Sequence, residues 1–372
     1  MDSVDGETVE LFATLSKAEP WRLQRQYFPS KFGGLPAWLD PVHLPQESEL
    51  KCDKCGSIMT FFLQIYAPDD LCEENDSFHR TIYLFVCQPC GNQWKAFRSQ
   101  LARKNEFYDF HPSEDNIMFP DTEMARRCCL ACGLPSDNPS KEPIHLNNSK
   151  IQLIDTQDVR ELHDRCKIAV KHQTVSCTFD EWILNICEGE IPISDNYLSH
   201  EKELYNRYLK EKKLNGEIMD ESEEQAFESI QEENMYKDES FLKFSKKTTP
   251  NEVLYYSREG EPIWISDKTP RPVIIQSNQS SKKAIDEVSN ENSCPGNDLN
   301  VVNLCENCGS DRSFEFQVLP QLLHYIKSDR IDFGSLSVYT CSKSCKIENK
   351  YQKEVVILER DYSLVPRPQN PK

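Results

Sequence analysis

Apolar and polar positions form three short runs in the first third of the chain, Met59 to Ala67, Ile82 to Cys87 and Trp94 to Leu101. Each has the length and the β-branched or aromatic content of a strand. The first two are expected to pair antiparallel, with Pro68 to Phe78, rich in Asp and Glu, as the exposed loop between them. Ahead of them, Trp21 to Pro45 is dense in Pro, Gly and aromatic residues, which suits an ordered, irregular segment pinned to a core by Trp21 and Trp38. A strand pattern returns after Val301.

Between these blocks the pattern changes twice. Thr156 to His172 places Val159, Leu162, Cys166 and Ile168 or Ala169 near helical spacing. Further on, Leu204, Tyr205, Tyr208 and Leu209 repeat at i, i+4 spacing, and 16 acidic residues face 6 basic ones between Glu188 and Glu239. Two exposed acidic helices with a thin apolar stripe are expected there, the plain reading of such a charge run being a solvated face. Ser266 to Asn300, with its Ser, Asn, Lys and Pro clusters, reads as a flexible linker.

These shifts divide the 372 residues into an N-terminal zinc-knuckle β module (1–120), an insertion (121–189) and an acidic helical segment (190–250). The start of a C-terminal domain (251–265), the linker (266–300) and a C-terminal zinc-knuckle β module (301–372) follow. The expected fold class is α+β and β-rich. Duplicated zinc-knuckle modules pack as one pseudo-symmetric domain, with an inserted small zinc-finger-like, helical region and acidic helices.

The modules rest on cysteine spacing. Cys-x-x-Cys-Gly occurs four times, at Cys52/Cys55, Cys87/Cys90, Cys129/Cys132 and Cys305/Cys308, and Cys341 and Cys345 form a pair one residue wider. In a zinc knuckle two thiolates from one tight turn grip the metal, and the following glycine accepts positive φ. Four thiolates need two knuckles, so Cys52, Cys55, Cys87 and Cys90 are expected to form one site, and Cys305, Cys308, Cys341 and Cys345 a second. Their surroundings repeat: Cys52-Asp-Lys-Cys-Gly-Ser, then Phe61-Phe-Leu-Gln-Ile65, aligns without a gap on Cys305-Glu-Asn-Cys-Gly-Ser, then Phe314-Glu-Phe-Gln-Val318, at a constant offset of 253. The second knuckle follows after 32 residues in one copy and 33 in the other. Cys129 and Cys132 would need His163 and Cys166 as partners for a mixed third site, with Cys128, His172 and Cys177 as further candidates. The rival reading of His163 and His172 is an ordinary buried or surface histidine. Cys72, Cys187 and Cys294 read as ordinary cysteines.

Charge and compartment narrow the function. Sixteen cysteines, mostly paired as knuckles in a chain with no secretion signal or membrane-spanning run, point to zinc in a reducing compartment rather than to disulfides. With 43 basic and 61 acidic residues the net charge is −18, which repels a phosphate backbone and attracts a basic partner, so direct nucleic-acid binding is not expected. A mean hydropathy of −0.64 implies much solvent-exposed chain. No phosphate-binding loop, nucleotide-binding glycine pattern or nucleophile elbow is visible, and no small-molecule substrate is expected. Pro89-Cys90 lacks the second cysteine of a deaminase motif, and all-cysteine sites are closed to substrate. The chain therefore reads as non-enzymatic.

Several blocks carry a family likeness. In the first half they are Phe28-Pro-Ser-Lys-x-Gly-Gly-x-Pro-Ala-Trp-Leu39, Leu63-Gln-x-Tyr-Ala-Pro68, Phe78-His-Arg80, Tyr83-Leu-Phe85, Phe97-Arg-x-Gln-Leu101 and Arg103-Lys-Asn-x-Phe-Tyr108. In the second half they are Pro262-Ile-Trp-Ile-Ser266, Glu315-Phe-Gln-Val-x-Pro-Gln-Leu-Leu323, Ile331-Asp-Phe-Gly334 and Val338-Tyr-Thr-Cys341. Together they resemble the programmed cell death protein 2 family. The resemblance implies a eukaryotic, largely cytoplasmic protein able to enter the nucleus. It also implies a dedicated chaperone, or adaptor, that captures one newly made basic protein of the small ribosomal subunit, eukaryotic S-two, during ribosome biogenesis. Some family members carry a mid-chain MYND finger with two interleaved metals. Cys129/Cys132, His163/Cys166 and His172-Gln-Thr174 resemble fragments of it, but the aromatic-Cys knuckle before His172 is absent, so at most one of those metals is implied. A transcriptional or signalling adaptor acting through that degenerate finger is the alternative. A ubiquitin ligase is disfavoured by the lack of interleaved Cys/His spacing.

Overall fold

The computed structural model of the protein describes residues 9–69, 76–119, 179–188, 238–277, 300–347 and 351–360. Twelve strands are found in them: β1 Leu11–Ser16, β2 Lys31–Phe32, β3 Thr60–Tyr66, β4 His79–Val86, β5 Trp94–Leu101, β6 Trp182–Glu188, β7 Glu252–Tyr256, β8 Val273–Ile274, β9 Val301–Val302, β10 Arg312–Val318, β11 Ser335–Cys341 and β12 Gln352–Glu359. Ten of them close into a barrel in the order β1-β6-β2-β3-β4-β5-β12-β11-β10-β7, while β8 and β9 form a separate parallel pair. Every pairing in the barrel wall is antiparallel.

This closed wall corrects the expected α+β arrangement of zinc-knuckle modules with acidic helices. Meanders β3-β4-β5 and β10-β11-β12 are each left with unpaired edges, and an edge is stable only if covered or paired. β5 pairs with β12 on one side, while β1, β6, β2 and β7 bridge the other, so front and rear segments share one wall. Among the described residues there is one α-helix, α1 (Glu239–Lys247), capped by the Asp238 side chain accepting from the Phe241 N–H at 3.1 Å and packed by Phe244. The acidic run 190–237 lies outside the described residues. β6 falls within the segment expected as an insertion, and residues 266–277, expected to begin a linker, carry β8 and the buried Ile275. No helix among the described residues is long and apolar enough to cross a membrane.

The wall is buried on both faces. Inward-facing Phe32, Ile82, Leu84, Ala96, Leu254, Phe316, Leu336 and Val338 form the central core. Outside it, Trp38, Leu50, Phe61, Tyr83, Phe85, Phe97 and Tyr351 pack under the Trp21–Pro45 segment on one side. Phe12, Phe244, Tyr255, Phe314, Tyr339 and Ile357 pack under α1 on the other. Burial on both faces explains why β4 is enclosed along its whole length, where one-sided exposure would have given alternation.

Equivalent features recur in the two halves. β3 bulges between Phe61 and Leu63, and β10 between Phe314 and Phe316, at the same offset as the cysteines. Gln64 holds the backbone of Ala37 (N–H to Oε1, 2.8 Å), just before Trp38, and Gln317 holds that of Ile263 (2.9 Å), just before Trp264.

One difference at the bulge matters most. Phe62 occupies it in β3, whereas Glu315 occupies it in β10, where it meets Arg80 of β4 in a bidentate ion pair, one arm of which is 2.6 Å, both side chains being 0% exposed. Thr340 and Tyr256 complete its hydrogen bonds. Nearby, Glu354 of β12 accepts from Arg98 of β5 at 2.7 Å and from Arg312 of β10 at 2.9 Å. Burial alone would raise the Glu315 carboxyl, but the Arg80 charge and its hydrogen bonds hold it below the usual range.

Glu315→Gln leaves Arg80 buried without a counter-charge, and we expect it to destabilise the fold by about 3–5 kcal/mol in chemical denaturation, more than the paired Arg80→Met/Glu315→Leu change. A carboxyl held below its unfolded value stabilises the fold above that value. Stability should therefore fall as pH drops below the ordinary glutamate range, and this part of the acid sensitivity should be absent in the paired variant.

Candidate metal centres

Each of the two front knuckles is a tight turn at a strand end. The Cys52 N–H donates to Ser57 O and the Gly56 N–H returns to Cys52 O, both at 2.8 Å; Cys87 and Gly91 repeat this with Gln93 O at 2.9 Å and Cys87 O at 2.8 Å. Cys305 uses the same turn, with Ser310 O and Gly309. The turn needs positive φ, which glycine meets without strain: +70° at Gly56, +73° at Gly91 and +70° at Gly309. At Gly91 space is decisive too, because a Cβ there would lie 1.9 Å from the Arg330 carbonyl oxygen. The wider pair closes through Ser344, at φ +42°, whose N–H donates to Cys341 O.

These turns gather Cys52, Cys55, Cys87 and Cys90 in one cluster and Cys305, Cys308, Cys341 and Cys345 in another, with the sulfurs of each set within 4.8 Å of one another. Within them Cys52–Cys90 is 3.9 Å, Cys55–Cys87 3.4 Å, Cys305–Cys345 3.7 Å and Cys308–Cys341 3.6 Å. A tetrahedron of sulfurs with metal bonds of about 2.3 Å has edges of about 3.8 Å, so both clusters fit one metal ion each. None of these pairs is a disulfide.

The thiols are set unequally. Hydrogen bonds from Ser57 bring Cys55 down to about 6. Burial opposes the same effect at Cys308, but bonds from Ser310 hold it at about 6. Burial pushes Cys87, Cys305 and Cys341 up. The sulfurs of each cluster therefore differ in how readily they ionise, and holding all four as thiolates takes a cation at the centre.

Both clusters are anchored beyond their ligands. Lys95 of β5 donates to Lys51 O at 2.5 Å and to Asp53 at 2.8 Å, stapling the first knuckle to the wall. In the rear cluster, Arg98 and Gln100 of β5 donate to the Cys345 carbonyl, each at 3.2 Å. Arg98 Nη2 lies 3.6 Å and Asn307 Nδ2 3.3 Å from the Cys345 sulfur. A strand of the front half therefore holds a ligand of the rear half. Sequence reasoning missed this role, although Arg98 and Gln100 stand in the Phe97-Arg-x-Gln block, at inward positions where a solvated charge does not belong. Cys129, Cys132, His163 and Cys166 lie outside the described residues, while Cys187 is exposed and apart from both clusters.

Comparison with known proteins follows this geometry. The model of the "Programmed cell death protein 2, N-terminal domain" matches residues 9–115, and that of the "C-terminal putative domain" matches residues 238–364. The chain is 32% identical to Programmed cell death protein 2 of Bos taurus, over 91% of this chain and 93% of that one. It is 26% identical to human Programmed cell death protein 2-like, over 89% and 90%. A Schizosaccharomyces pombe relative, Probable 20S rRNA accumulation protein 4, is 22% identical over 84% of this chain and 87% of its own. No solved structure matches the chain.

Native mass spectrometry should find the chain heavier than its polypeptide by one metal ion per cluster, with more if a site forms outside the described residues. Cys305→Ser/Cys345→Ser should lower the count by one. Because metal displaces protons from sulfur, retention should weaken as pH falls, which a chromophoric chelator can follow.

Proposed function

We infer that this chain, which belongs to the programmed cell death protein 2 family, is a zinc-stabilised, non-enzymatic escort for a newly made basic protein of the small ribosomal subunit, the eukaryotic S-two type. The observation that carries the reading is kinship, over most of the chain, with a protein named for 20S rRNA accumulation. A net charge of −18 favours a basic protein over the RNA itself as the direct partner. Zinc is the metal proposed, since four thiolates in a tetrahedron suit it and leave no open position for a substrate. Cys52, Cys55, Cys87 and Cys90 would hold one ion, and Cys305, Cys308, Cys341 and Cys345 the other, each tying together turns that are distant in the chain. On this reading the protein works in the cytoplasm, where ribosomal proteins are made, and passes to the nucleus with its cargo. Capture and release need no bond chemistry, only a shaped and charged surface.

Co-expression of the tagged chain with eukaryotic S-two should yield a stoichiometric complex that keeps the ribosomal protein soluble. Failure to enrich any small-subunit protein from eukaryotic cells, with both metals in place, would overturn the reading.

A further inference from the structure

The resemblance between the halves also breaks at β2. In the rear half β7 pairs with β10 over Leu254, Tyr255 and Tyr256, and its other edge is covered by β1 down to Thr14 opposite Glu252. Its counterpart in the front half, β2, is two residues long and pairs with β3 and β6 only at Lys31 and Phe32. Ahead of it stand Pro29, which has no N–H to donate, and Phe28, which is left-handed at φ +47°, so the chain turns out of the sheet.

β6 runs on past this point. Its Leu184 N–H donates to Ser30 O at 2.9 Å, the last contact between it and the β2 segment. Ile186 and Glu188 present their N–H and C=O groups in the same direction, because main-chain groups alternate along a strand. Among the described residues no partner meets them.

The edge opens on a groove of about 640 Å³. Trp21, Tyr27, Phe28, Tyr66, Leu184 and Ile186 line it, two of them tyrosines with polar hydroxyls. Asp115 and Arg22 are its charged lining residues, and Glu114, next to Asp115 in the chain, and Glu188, two residues beyond Ile186, are exposed. The strap that carries Asp115 is tied down by Tyr27, whose hydroxyl donates to Glu114 O at 2.6 Å, and it exposes Ile117 (39%) and Met118 (60%) beside the groove.

We propose that this groove seats an extended, basic segment of the protein client, which adds a strand to the edge of β6 that no described residue pairs and supplies the wall that β2 leaves short. Main-chain bonds to Ile186 and Glu188 give affinity, alternate apolar side chains enter between Trp21, Phe28 and Tyr66, and lysine or arginine side chains meet Asp115, Glu114 and Glu188. The proposal rests on the escort reading and specifies its surface.

The test uses the full chain with its metals and purified eukaryotic S-two protein as the probe. Ile186→Lys and the rim pair Glu114→Lys/Asp115→Lys should each weaken binding by about tenfold or more, while Ile274→Lys, at an exposed apolar position on β8, should stay within about twofold. The rim pair should also flatten the salt dependence. Benzoylphenylalanine in place of the exposed Arg22 should cross-link to one extended segment of the client. Should Ile186→Lys fail to fold, the rim pair and the cross-link decide. If S-two binds the native chain but the groove variants match Ile274→Lys, or if the cross-link lands on the chain itself, the groove proposal falls and the escort reading stands. If S-two does not bind the native chain at all, both fall.

Discussion

Closure of the wall is the constraint on which the rest depends. Two meanders separated by a long stretch of chain could each have buried one face and left their edges to solvent. Instead β5 meets β12, and strands from three separate places, β1, β6 and β7, seal the opposite side. The Arg80–Glu315 pair and the Arg98–Glu354–Arg312 triad join the two halves within that wall. Buried charges of this kind stabilise little by themselves, since desolvation offsets most of the attraction. What they do is penalise every alternative in which front and rear halves separate or shift register, because each such state leaves a charge buried alone.

The two cysteine clusters act on the same junction from outside. Gly91 packs against Arg330 of the rear half, and Cys345 is held by Arg98 and Gln100 of the front half. A metal in either cluster therefore fixes a turn that touches the opposite half. A metal held by four thiolates would have no position left for substrate, so each cluster, once filled, would serve the scaffold. The functional surface must then be sought where the scaffold departs from its own repeat.

That departure lies at β2. Where the rear half continues a full strand, the front half turns away at Pro29 and Phe28 and, among the described residues, leaves an edge unpaired beside aromatic side chains and Asp115. Proteins normally cover such an edge, since an open one pairs with whatever strand is offered. In a chain of net charge −18, an edge left without a partner among the described residues is the place where an added basic strand would meet complementary charge.

Much of the site was legible before any fold was known. Cys-x-x-Cys-Gly dictates its own turn, because thiolate spacing and a positive-φ glycine are local properties, and the repeated spacing told which knuckles belong to one cluster. The strands around them were legible too, being continuous apolar runs. Closure was not. β1, β6 and β7 come from three separate stretches of the chain, and nothing in their own residues says that Leu11–Ser16 will lie between Trp182–Glu188 and Glu252–Tyr256. Nor does any local pattern bring Arg80 to Glu315, which stand 235 positions apart in the chain yet are in direct contact. Local chemistry decides each cysteine turn because only neighbouring atoms are involved. Which edges meet, which charges are buried and where the wall is left open depend on long-range contacts, and only the tertiary structure decides those.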